Sequence, residues 1–240
     1  MANKPKLSIV IPTLNEEKDL PKLLESIKKQ GFKDYEIIIA DNNSKDNTKK
    51  IAKKYKCKLT KGGLPPVGRN NGVKIAKGDY ILFLDADVIL PYNFIRDALK
   101  EFEERYLEAA TCEFIPLSDK KIDQFLHKFS NGIIRTLQYI KPFGAGFCII
   151  VTKRIHNRVN GFNESLRLCE DHDYLERISK LGTFRILKNP KIYVSTRRLE
   201  KEGRRTLALK YAKATIYQLT NKKDKMKEID YEFGNYNKEL

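Results

Sequence analysis

Residues Gly78 to Leu90 read G-D-Y-I-L-F-L-D-A-D-V-I-L. A Gly-Asp turn leads into five apolar residues, Tyr80 to Leu84. The run is too short for a typical helix, and Tyr, Ile and Phe favour a strand. Apolar side chains on both faces mean burial on both sides, as in a parallel sheet. Asp85 and Asp87 follow with no spacer. In a parallel α/β sheet, ligands bind just beyond the carboxyl ends of the strands. Two carboxylates there suit a hard divalent cation, with substrate phosphates as further ligands. The bland alternative is a solvated Asp turn that caps the next helix.

The preceding chain repeats the pattern. Leu7 to Ile11 reads as a buried strand stopped by Pro12, and Asn15 can cap a helix with Leu20, Leu23, Leu24 and Ile27 inward. Tyr35 to Ala40 is a second strand with Asp41 at its end, Lys58 to Thr60 a short third, and Asn70 to Ala76 a short helix after a loop. This β-α order predicts a doubly wound sheet with Asp41 and Asp85 on one crevice. Further on, Lys121 to Tyr139 reads as an amphipathic helix whose Ile122, Phe125, Leu126, Phe129 and Ile133 face the core. Ala109 to Ile115, Phe147 to Val151, Thr183 to Leu187 and Lys191 to Ser195 read as strands. A helix opens at Cys169-Glu170-Asp171-His172-Asp173.

At 240 residues with 41% hydrophobic content, the chain can bury a real core. No apolar run has membrane-spanning length, and the N-terminus lacks the apolar stretch of a signal peptide. The four cysteines have neither zinc-site nor disulfide-framework spacing, so reduced thiols in a cytoplasmic protein are expected. The net charge is +16, from 47 lysines and arginines against 31 acids. Such a charge fits a polyanionic partner or a lysine-rich solvated surface. No basic-aromatic motif points to nucleic acid.

The pieces S-I-V-I-P-T-L-N-E-E, D-N-N-S-K-D-N-T, G-R-N-N-G-V-K-I-A-K-G-D-Y-I-L-F-L-D-A-D-V, G-F-N-E and C-E-D-H-D stand in one order. Together they resemble the family 2 glycosyltransferases, over roughly Leu7 to Leu181. The resemblance implies a GT-A-like α/β fold, a Rossmann-like, doubly wound, mostly parallel sheet with helices on both faces. Residues 1–195 would form that domain, with a nucleotide-sugar half to about residue 90 and an acceptor half beyond. Residues 196–240 would be a basic helical extension.

The resemblance also implies chemistry: inverting transfer of a sugar from a UDP- or GDP-sugar to an acceptor hydroxyl or lipid phosphate, with Mg²⁺ or Mn²⁺. Pro12, Thr13, Asn15, Glu17 and Asp41 would hold the nucleotide, and Arg69 its base or phosphate. Asp41 has a rival role as a cap for its turn. Asp85-Ala86-Asp87 would be the D-x-D motif, with Asp87 on the metal and Asp85 on ribose or the metal shell. Ile89 stands where some relatives that act on polyprenyl phosphate carry Gln. Asp171 would be the base, with Glu170 orienting it or touching the acceptor. His172 is a rival base on chemistry alone. Gly144-Ala145-Gly146 would lie beneath donor sugar and acceptor, or form a plain turn. Beyond the matched stretch, and on arginine chemistry alone, Arg197 and Arg198 would clamp a diphosphate or an acceptor phosphate, or belong to a basic tail that docks on an anionic membrane. The competing enzyme class, a sugar-phosphate nucleotidyltransferase, ordinarily has a Gly-rich loop after its first strand, where this chain has P-T-L-N-E-E. A basic membrane or nucleic-acid adaptor without catalysis is the non-enzyme alternative.

Overall fold

Alternating burial along the first strand sets the layering. In β1 (Leu7–Thr13), Ile9 and Ile11 face one apolar layer and Val10 faces another, all fully buried. The computed structural model describes residues 4–139, 142, 144 and 146–220. β1 pairs in parallel with β2 (Tyr35–Asp41) and β4 (Tyr80–Leu84), and β2 with β3 (Lys58–Lys61). Next come β5 (Val88–Ile89), β6 (Ala109–Pro116), β7 (Cys148–Thr152) and β8 (Phe184–Val194). The eight-stranded order is β3-β2-β1-β4-β7-β6-β8-β5. β7 is antiparallel to β4 and β6, β6 is parallel to β8, and β5 is antiparallel to β8.

Helices cover both faces. α1 (Leu20–Lys28), α2 (Thr48–Lys54) and α4 (Phe94–Glu104) give Leu23, Ala52 and Phe102 to one core layer. α3 (Pro65–Ile75), α6 (Lys153–Arg158) and α7 (Glu170–Ser179) give Val73, Ile155 and Tyr174 to the other. Phe83 on β4 is fully buried in this second layer, so truncation to Ala would cost about 3–5 kcal/mol. α3 lies so close to β1 that a Cβ on Gly72 would meet Val10 Cγ1 at 2.3 Å. After β8 come α8 (Arg197–Glu202) and α9 (Arg204–Leu219).

Several local expectations are corrected. The supposed loop before Asn70 is helical from Pro65, because Pro at the first helical turn is pre-set for it. The two short strands after Gly182 are one strand, with a register shift against β6 between Thr111 and Glu113. Asn15 does not cap α1, whose N-cap is Asp19. It sits at φ 55° and accepts a hydrogen bond from the Lys45 backbone N–H. The largest departure is α5 (Lys121–Leu137): Asp123 and Ile134 are buried on its inner side, while Ile122, Phe125 and Phe129 are exposed.

Candidate active site

β1 and β2 end in register at Thr13 and Asp41, and Asp85 follows the end of β4. Three polar residues thereby reach the carboxyl edge of the parallel half of the sheet. Asp41 is buried and builds its own turn. It accepts hydrogen bonds from the Ser44 backbone N–H, the Ser44 hydroxyl and the Thr13 hydroxyl, and Lys49 stands 3.7 Å away. The capping role is therefore realised in Asp41 itself. Pro12 packs beneath α3, where a Cβ on Gly68 would meet it at 3.2 Å.

The two glutamates after Asn15 diverge. Glu17 accepts from the Asn47 backbone and side-chain amides, which ties the loop to the start of α2. Glu16 turns inward and is buried. Its two carboxylate oxygens take a fork from Arg197, each at 2.7 Å. The left-handed backbone at Asn15 immediately precedes this divergence. Arg197 also reaches Asp19 at 3.1 Å and Asp87 Oδ2 at 3.1 Å. Glu16 and Asp19 thus join the candidate site, although the sequence did not single them out. Their signal was the acid density of N-E-E-K-D, which leaves open which side chain turns inward.

Asp87 is half-buried in this cluster. Burial, reinforced by Asp85, Glu16 and Asp19, pushes its carboxyl up to about 7 against the opposing pull of Arg197. The Ser195 backbone N–H donates to the Asp87 carbonyl at 3.2 Å, which fixes the start of the Arg197 segment beside it. Ala86 is buried in the first core layer and spaces the two acids. Arg198 points elsewhere, pairing with Glu202 at 2.7 Å. The two neighbouring guanidiniums therefore take different carboxylate partners.

Arg69 is held by two acids and a backbone carbonyl of the chain itself. Its guanidinium is buried and bridges Glu170 Oε1 at 2.7 Å, Asp85 Oδ1 at 2.9 Å and the Gly146 carbonyl at 3.1 Å. Its face lies over the Phe162 ring. Asn70, next on α3, binds the Phe162 backbone in both directions and Glu164 Oε1, so the G-F-N-E turn is pinned to the same helix.

Glu170 and Asp171 open α7. Burial, then the neighbouring Asp171, holds the Glu170 carboxyl well above the usual range despite Arg69. Asp171 is the more accessible of the two and accepts from the His172 backbone N–H at 2.8 Å. His172 Nε2 stands 4.0 Å from Asp171 Oδ2. Asp173 pairs with Arg177 as a first-turn acid. Gly146 lies against Asp171, where a Cβ would meet Oδ2 at 2.8 Å. Gly144 instead packs toward Leu175 and Thr111, inside the protein. Ala145 falls outside the described residues.

A match to the Glycosyl transferase family 2 model spans residues 8–159. The chain belongs to that family. Relatives include the Staphylococcus aureus poly(ribitol-phosphate) beta-N-acetylglucosaminyltransferase TarS, 26% identical over 80% of this chain and 36% of its own length. The Campylobacter jejuni GalNAc(5)-diNAcBac-PP-undecaprenol beta-1,3-glucosyltransferase is 35% identical over 42% of this chain and 36% of its own. The chain thus spans about a third of the length of these curated relatives. TarS residues 1–349 with UDP-GlcNAc superposes at a TM-score of 0.64, with 23% identity over 79% of this chain and 58% of that one. The Pyrobaculum calidifontis mannosyltransferase PcManGT with GDP-Man and Mn²⁺ superposes at 0.65, with 17% identity over 80% and 57%. The fold is that of the GT-A enzymes, a mostly parallel curled sheet with helices on both sides.

Proposed function

We propose that this chain transfers a sugar, with inversion, from a nucleoside-diphospho-sugar to a glycan or lipid-linked acceptor. One observation carries the reading: Arg69 joins Asp85, on the donor side, to Glu170, beside the candidate base Asp171. The donor nucleotide would lie over the ends of β1 and β2, with Pro12, Thr13, Asn15, Glu17 and Asp41 shaping its loop. TarS solved with UDP-GlcNAc and PcManGT solved with GDP-Man support a UDP or GDP donor. The undecaprenol-linked and poly(ribitol-phosphate) acceptors in relatives' names support the acceptor class.

The residues present fit a hard divalent cation. Asp85 and Asp87 offer carboxylate oxygens inside a negatively charged cluster, the donor set that Mg²⁺ and Mn²⁺ take. Among the described residues no three His, Cys, Asp or Glu side chains form a ready cage, so donor phosphates would supply the remaining ligands. When bound, Mg²⁺ or Mn²⁺ supplies neutralisation of the charge that builds on the departing nucleoside diphosphate. Arg197 is placed to exchange from Glu16 and Asp87 onto the diphosphate, where a forked guanidinium binds well.

Asp171 takes the proton from the acceptor hydroxyl. The acceptor oxygen bonds to the anomeric carbon as the bond to the diphosphate breaks, and the electron pair leaves with the nucleoside diphosphate. Arg69 fixes the spacing of donor and acceptor sides, and Glu170 positions the start of α7. Calorimetric titration of UDP and GDP, with and without Mn²⁺, tests the donor site. Manganese-dependent binding of one nucleotide that is lost in Asp87→Asn supports it, and no binding of either refutes it. An NMR assay of the product's anomeric configuration tests inversion.

A further inference from the structure

We infer that the outward face of α5 is a docking surface for an anionic lipid bilayer. The helix is held with its amphipathicity reversed. Asp123, His127, Asn131, Ile134 and Gln138 follow helical spacing along one face, which faces inward. Asp123 is fully buried and takes a fork from Arg204 at 2.6 and 2.9 Å. Asn131 binds the Phe114 backbone in both directions, and Gln138 accepts from the Ile186 backbone N–H. These polar anchors fix the register from one end of the helix to the other.

The opposite face carries Ile122, Phe125, Phe129 and Ile133. Phe125 is 63% exposed and Phe129 61%, and their rings stack 6.4 Å apart. They border a shallow apolar groove that runs to Gly132 and Leu137. Solvated proteins rarely hold such a row outward without a partner for it.

Charge selects the occupant. Lys121, Lys128 and Arg135 recur every seven residues beside the apolar row, Arg135 exposed but paired with Glu113 at 3.1 Å, and the single acid of the helix, Asp123, is buried and paired. A basic, aromatic helix face fits the interface of an anionic bilayer. A second copy would bring the same basic row against this one, so self-association is disfavoured. Gly146, which lies against Asp171, follows α5 in the chain. Docking through α5 would therefore set the acceptor side of the site near the membrane. That functional meaning rests on the transferase reading; the docking itself does not.

The chain contains no tryptophan, so Phe125→Trp installs a single reporter. The full chain would be titrated with phosphatidylcholine vesicles, with and without phosphatidylglycerol. The expected result is a blue shift with the anionic vesicles alone, abolished by high salt. In flotation, Phe125→Ser with Phe129→Ser should lose on the order of tenfold or more in partitioning at an unchanged melting temperature. No blue shift, or flotation independent of both phenylalanines, overturns the proposal, the latter pointing to α9. So does sedimentation showing a wild-type dimer that the double substitution dissociates. Nucleotide titration on the same samples reads the transferase site separately.

Discussion

Arg197 Nε lies 3.1 Å from Asp87 Oδ2, while its other two nitrogens fork onto Glu16. One guanidinium thus offsets the acids that would also attract a divalent cation. Removal of one partner from such a buried set leaves like charges uncompensated, at a cost of about 2–4 kcal/mol. Arg197→Met should therefore lower the urea midpoint in EDTA. Mn²⁺ should restore more stability to the variant than to wild type, because it enters the charge left behind. Equal manganese effects on both proteins would place the cation elsewhere.

The same cluster sets a pH dependence. Asp87 keeps its proton up to about 7 in the fold, whereas an unfolded aspartate ionises near 4. Between those limits the folded state binds more protons, so stability falls as pH rises. Burial raises Glu170 and Glu16 in the same direction. Carboxyls held low, such as Asp123 at about 2 beside Arg204, act oppositely and only at more acidic pH. Melting in EDTA should show lower stability at pH 8 than at pH 5. Asp87→Asn should remove on the order of 1–3 kcal/mol of that fall. An unchanged slope in the variant would assign the effect to other groups.

Arg69 cannot be exchanged for lysine without loss. Its planar fork meets Glu170, Asp85 and the Gly146 carbonyl at once, and an ammonium on a flexible stem holds no such fixed arrangement. Arg69→Met should cost about 3–5 kcal/mol, because Glu170 is left buried and unpaired. Glu170→Gln in that background should recover part of the loss. A double-mutant cycle by denaturant unfolding should give a coupling of about 1–3 kcal/mol. A coupling near zero would show that the pair contributes nothing beyond its separate side chains.

Local signals were legible in the chain and non-local ones were not. The apolar runs ending in Asp41 and Asp85 placed both acids at strand ends, because strand period and burial are written in consecutive residues. The choice between Glu16 and Glu17 was not visible, since backbone geometry after Asn15 decides it. The Arg69–Glu170 pair spans 101 positions, beyond any local pattern. In α5, periodicity identified the apolar face correctly, but only tertiary anchors such as Asp123–Arg204 determine which face turns inward. Arg197 was legible as half of an arginine pair suited to phosphate, but not its partners on the first loop and the D-x-D pair.

Gly146 gives the most local test of Asp171. Its α-carbon approaches so closely that a Cβ would meet Asp171 Oδ2 at 2.8 Å, while its carbonyl holds Arg69. Gly146→Ala must therefore push the Asp171 carboxylate aside or move the loop from Arg69. A displacement of about 1 Å at a reacting group can cost on the order of a hundredfold in rate. If Asp171 takes the acceptor proton, kcat should fall by tenfold or more while nucleotide affinity, read by titration, stays near wild type. Asp171→Asn should abolish turnover with the same unchanged affinity. If Gly146→Ala instead weakens nucleotide binding and spares kcat, the glycine serves the donor side, and the base must be sought away from Asp171.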